Sequence, residues 1–143
     1  MKSPSRKDSP VNLIGKIAQT AAALWIINVW TYRFNKDTGY RGGGATNMKE
    51  EFAVYGLSEP VMYAVGATKV GLASAMLVGL VVPRVTRPAS AGLATLMLGA
   101  IGMHIKAGDS VKRYLPALSV FSLATISAVL NGDRDGAVEA GAS

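Results

Sequence analysis

Apolar residues gather along this chain into four runs, 11–32, 61–83, 89–105 and 114–130, and nearly all the charge lies between or beyond them. Within each run apolar positions occupy every helical face rather than one stripe, the pattern of a helix surrounded by apolar material. At about 1.5 Å per residue the first two runs cover the roughly 30 Å hydrocarbon core, and the shorter two come near the lower limit for a span. The connections between runs two and three, "PRVTRP", and three and four, "KAGDSVKR", are tight turns. Proline at 116 falls in what reads as the first turn of the fourth helix, where its missing N–H costs nothing. The pattern predicts an all-α fold: a four-transmembrane-helix bundle in one domain, 11–130, with both termini on one side. Polar, proline- and glycine-bearing ends predict a disordered N-terminal tail, 1–10, and a polar C-terminal tail, 131–143.

The long connection between runs one and two is not uniform. "NKDTGYRGGG" is a glycine-rich loop with no strand before it and no lysine–serine pair after it, which excludes a phosphate-binding loop. "TNMKEEFAVYG" predicts a short amphipathic helix between helices 1 and 2. Asn47 caps it, Glu50 reaches back to the cap, and Met48, Phe52 and Tyr55 share one face, with Gly56 at the C-terminal position. Two rows of small residues recur at every fourth position, Ala67, Gly71, Ala75 and Gly79 on the second helix and Ala91, Thr95 and Gly99 on the third. Such rows allow close backbone approach in lipid, and both are expected in the bundle interior.

Charge sharpens this reading. The net charge is +6 with 17 % charged residues, but the bases are scattered over every loop and no basic helix face appears, so they match membrane flanks rather than nucleic acid. They divide evenly between the two faces, and the basic N-terminal tail places both termini on the cytoplasmic side. That tail has no apolar core ahead of a small-residue site and is not a secretory signal. No cysteine is present, which excludes disulfides, thiol redox chemistry and cysteine-ligated metals in this chain.

Two ionisable residues stand out. Lys69 lies about 13 Å along its helix from Pro60, near the bilayer centre and too deep to snorkel. An ammonium there costs about 2.5 to 3.5 kcal/mol on insertion scales, so it needs a partner or a task, and Gln19 and Asn28 of the first helix are the polar groups at hand. His104, the single histidine, closes the third run on the face that also carries Glu51, Glu59, Asp109 and Lys112. One histidine with scattered carboxylates lacks the paired spacing of a zinc site, so no metal is assigned. His104 suits hydrogen bonding to a quinone carbonyl, proton relay, or axial ligation of a haem or pigment. No nucleophile–base pair is visible, so hydrolase chemistry is unsupported and no catalytic residues are assigned.

The stretches "NMKEEFAVYGLSEPVMYAVGATKVGLASAMLVGLVVP" and "AGLATLMLGAIGMHIKAGDSVKRYLPAL" resemble the DoxX-like family of small four-helix membrane proteins, over about half the chain. The resemblance implies a link to quinone-coupled oxidoreduction, redox-stress complexes or membrane-protein assembly, and sets Glu51, Lys69, His104 and Asp109 on the family's polar positions. Two functions follow. One is a non-catalytic accessory or assembly subunit of a larger respiratory or photosynthetic complex, held by lipid and by other membrane subunits. The other is a redox-linked protein that binds a quinone or relays protons through Lys69 and His104.

Overall fold

The computed structural model describes the backbone of residues 10–142 and the side chains of 12–131. Five helices follow one another: α1 (Pro10–Trp30), α2 (Met48–Val54), α3 (Glu59–Val78), α4 (Thr86–Lys106) and α5 (Val111–Ala142). No strand occurs among the described residues. Four segments are long and apolar enough to cross a membrane: Asn12–Trp30, Glu59–Val78, Pro83–Lys106 and Val111–Asn131. The tails expected at 1–10 and 131–143 lie outside the described residues, apart from Pro10, Asn131 and the backbone of α5 that continues to Ala142.

Helix ends differ from the expected ones around two prolines. α3 stops at Val78, and α4 begins at Thr86 with Arg87 and Pro88 in its first turn, where backbone N–H groups have no intrahelical partner and proline is tolerated. α5 begins at Val111, so Pro116 is an interior proline rather than a first-turn one. It removes one i→i−4 hydrogen bond, the one its residue would make to Lys112. Asn47 Oδ1 accepts from the Glu50 amide at 2.9 Å, but the Glu50 carboxylate takes the amide and hydroxyl of Thr46, not the Asn47 amide.

The four long helices pack in the cyclic order α1, α3, α4, α5. Ala22, Ala23 and Ile26 meet Ala73 and Met76, Leu93 and Met97, and Val120 and Ala124 along the axis. Outward faces remain apolar, with Leu13, Ile17, Leu24, Val78, Leu98, Ile105 and Val129 all exposed. Lipid chains are as apolar as leucine, so burying Leu93 gains little by transfer alone. Close packing and interhelical hydrogen bonds must hold the bundle instead.

One such set of bonds ties the four helices together near the chain ends. Gln19 Nε2 donates to the Met76 carbonyl at 2.5 Å and to Thr86 Oγ1 at 3.1 Å. Asn131 Nδ2 donates to Gln19 Oε1 and to the Gly15 and Ser127 carbonyls, and the Ser90 and Ser127 hydroxyls meet at 2.8 Å. Gln19 therefore serves this clasp and does not answer Lys69, which lies two turns away along α3. Replacing Gln19 by leucine leaves Asn131 and Thr86 short of a buried partner, and we expect a loss of about 1–3 kcal/mol. Thermal unfolding in mild detergent reads that loss.

The small-residue rows do not fall where they were expected. Ala67 and Gly71 are exposed, Ala75 is half-buried, and only Gly79 is buried; Ala91, Thr95 and Gly99 are all exposed. The buried face of α3 is the neighbouring row, Met62, Gly66, Lys69, Ala73 and Met76. Both rows of α3 contain small residues at helical spacing, so the pattern alone does not choose between them.

Candidate functional site

The other end of the bundle encloses a cavity of about 310 Å³. α1 contributes Trp25, Val29 and Trp30 to its wall, α2 gives Met48, Glu51 and Phe52, with Tyr55 capping its C-terminal end, and α3 gives Val65 and Lys69. α4 adds Met97, Met103 and His104, and α5 adds Pro116 and Val120. The wall is mostly aromatic, methionine and aliphatic, with a few charged groups converging on it, which is the general make-up of a small-molecule site.

Lys69 is only 7 % exposed. Gly66, one turn earlier, has no side chain, and a Cβ there would run into the Trp30 ring. The indole can therefore lie against α3, with its ring centroid 5.7 Å from Lys69 Nζ, within cation–π range. Among the described residues the ammonium makes no hydrogen bond and no ion pair. Neither Gln19 nor Asn28 reaches it. Glu51 is the carboxylate near enough to act on it through space.

Glu51 is held from three sides. Arg41, itself 3 % exposed, donates from Nη1 to Glu51 Oε2 at 2.9 Å, and the Tyr55 hydroxyl donates to Oε1 at 3.0 Å. The Gly42 amide adds a longer bond at 3.3 Å. The remaining Arg41 donors take the carbonyls of Arg33, Phe34 and Lys36. The glycine-rich loop is thereby folded over the cavity by a buried guanidinium. Burial, and then the adjacent Glu51 carboxylate, push the Tyr55 phenol above its ordinary value, so the phenol stays protonated and donating.

His104 is placed by the end of its own helix. Gly108 has φ +75°, a conformation that suits glycine, and this lets the Gly108 amide bond Ile105 and the Asp109 amide bond His104. The reversal brings Asp109 Oδ2 to 2.9 Å from His104 Nδ1, while Asp109 Oδ1 accepts from the Gly43 amide at 2.9 Å. Burial acts to raise the Asp109 carboxyl, but the bonds from Gly43 and His104 and the charges of His104 and Arg113 outweigh it and hold it below its usual value. On the ring's other side, Nε2 lies 3.8 Å from Glu51 Oε1. Asp109, His104, Glu51 and Tyr55 thus form a connected polar line from the α4–α5 turn to the cavity wall. Nε2, the ring nitrogen that an axial bond to a haem or pigment would use, faces the Glu51 carboxylate at 3.8 Å.

Of the residues expected at this rim, Glu51, His104 and Asp109 come together and Lys69 shares their cavity. Glu59 does not join them. It is exposed and pairs loosely with Lys49 at 3.8 Å. Lys112 is exposed as well. Arg41, Tyr55, Trp30 and Arg33 were not anticipated. The only hint was position: an arginine beside three glycines, and aromatics at both ends of the connection. Arg33 places its guanidinium 5.3 Å from the Trp25 ring centroid, and its buried Nε has no hydrogen-bond partner.

The sequence profile of the DoxX-like family matches residues 43–129, more than half of the chain. No curated protein and no solved structure matches.

Proposed function

The chain belongs to the DoxX-like family, and within it we propose a membrane protein that binds a lipid-soluble quinone-type molecule in the Lys69 cavity. The observation that carries this reading is the unanswered ammonium. Lys69 lines the cavity, and its ammonium has no acceptor among the described residues. A quinone supplies what is missing, carbonyl oxygens on a flat apolar ring suited to a wall that includes Trp30, Phe52 and Met97. Lys69 donates a hydrogen bond to one quinone oxygen, and His104, set by Asp109 and facing Glu51, lies on the wall of the same cavity.

Trp25 and Trp30 are the chain's two tryptophans, and both line the cavity, so indole fluorescence reports directly on occupancy. In vesicles, a decyl-substituted benzoquinone should quench it saturably, beyond the linear quenching shown by tryptophan octyl ester in the same lipid. Linear quenching alone would rule out the reading.

A second reading, membership of a larger membrane complex, draws on the exposed Ala67 and Gly71, where no atom meets a Cβ built on Gly71. Such a surface suits close approach by another helix. A mild-detergent native gel showing the chain only at its own size would count against it. The basic N-terminal tail favours cytoplasmic termini, which would set the cavity toward the opposite face. An impermeant thiol reagent that labels Ser3→Cys in intact cells would reverse that orientation.

A further inference from the structure

The cavity also has a direction. On α3, Val65, Lys69 and Leu72 form one stripe; on α4, Gly92, Thr95, Gly99 and Met103 form another. The two stripes touch at one level, where a Cβ on Gly92 would lie 3.2 Å from the Leu72 side chain. The helices run antiparallel, so stepping back from Leu72 to Lys69 and Val65 matches stepping forward from Gly92 to Thr95 and Gly99. At those levels the seam is not filled. Thr95 and Gly99 line the cavity and are both exposed, and nothing lies within 4 Å of a Cβ built on Gly99. Lys69, nine-tenths buried and without a polar partner, borders the same space.

We propose that the seam between α3 and α4, above the Leu72–Gly92 contact, is a lateral portal through which a chain-bearing amphiphile lies with its oxygen head at Lys69 and its hydrocarbon chain passing over Thr95 and Gly99 into the bilayer. This rests on the quinone-type reading and adds to it the ligand's class and pose. Lys69 sits midway along a spanning helix, so the opening faces hydrocarbon and not water. A chain leaving there stays in apolar surroundings, so the pose exposes no methylene to water. The exposed small residues at the sill make room for it.

Two probes separate the chain from the head: decyl-substituted benzoquinone and the chainless tetramethylbenzoquinone, each titrated against tryptophan fluorescence in vesicles with concentrations corrected for partitioning. Gly99→Leu fills the sill. Gly102→Leu, an equally open glycine on α4 that does not line the cavity, is the control. The portal predicts that Gly99→Leu weakens the decyl probe at least tenfold, leaves the chainless probe within about twofold, and that Gly102→Leu changes neither. Decyl binding unchanged by Gly99→Leu, or both probes weakened alike, would overturn the portal while leaving the quinone site standing. No saturable quenching of the unsubstituted protein by either probe would overturn both. Thr95→Leu, judged by the same ratio of the two probes, serves if Gly99→Leu does not fold.

Discussion

Lys69→Met is expected to unfold at a higher temperature than the parent chain and to bind the decyl-substituted benzoquinone at least tenfold more weakly. Methionine matches the length and apolar character of the lysine stem but removes an ammonium that is 7 % exposed and has no acceptor among the described residues. The stabilisation has an upper bound of about 2.5–3.5 kcal/mol, the cost of a charge at mid-membrane. Part of that is already offset by the Trp30 ring, 5.7 Å from Nζ, so about 1–2 kcal/mol is the expected gain. A residue that weakens its own fold and improves binding is a working residue. Thermal unfolding and quenching titration on one preparation give both quantities. A lower unfolding temperature would mean that Lys69 is structural after all.

Arg41→Leu has the opposite sign and a larger size. It strands the Glu51 carboxylate, whose bond to Arg41 is 2.9 Å with both side chains largely buried, and releases the carbonyls of residues 33, 34 and 36 that the guanidinium gathers. Removing one member of a buried pair costs about 3–5 kcal/mol, chiefly because the other charge is left unpaired. Adding Glu51→Gln to Arg41→Leu should therefore recover a good part of the loss, by the logic of a double-mutant cycle. Arg41→Lys keeps the charge without the fork and should fall between. If the double variant is as unstable as the sum of the singles, the pair is not coupled and the loop is held by something else.

These two residues also show which parts of the molecule could be read in advance. The four spans were legible because length and uniform apolarity in lipid leave few alternatives to a helix. Their ends were not: Pro88 read as part of a turn although it sits in the first turn of α4, and Pro116 read as a first-turn residue although it lies inside α5. Lys69 announced itself as a lone charge in an apolar run. Arg41 did not, because it lies in a glycine-rich loop with no periodicity, and its importance comes from burial that only the folded chain creates. His104 and Asp109 were both named, but their contact depends on Gly108 adopting a positive φ. Gln19 was matched to Lys69 as the nearest polar need, whereas the register of α1 against α3 brings it to Met76 and Thr86. The small-residue rows were displaced for a similar reason: Gly66 and Ala73 carry the buried face of α3, one row away from Ala67, Gly71 and Ala75.

The most direct test of the account is to ask which residues a bound quinone touches. A photoreactive quinone analogue can be irradiated with the protein in vesicles and its adducts mapped by peptide mass spectrometry. Adducts are expected at cavity residues such as Trp30, Met97 and Met103, vanishing with excess decyl-substituted benzoquinone and absent in Lys69→Met. Adducts confined to outward-facing positions such as Val78, Leu98 and Val129, unaffected by the competitor, would contradict it.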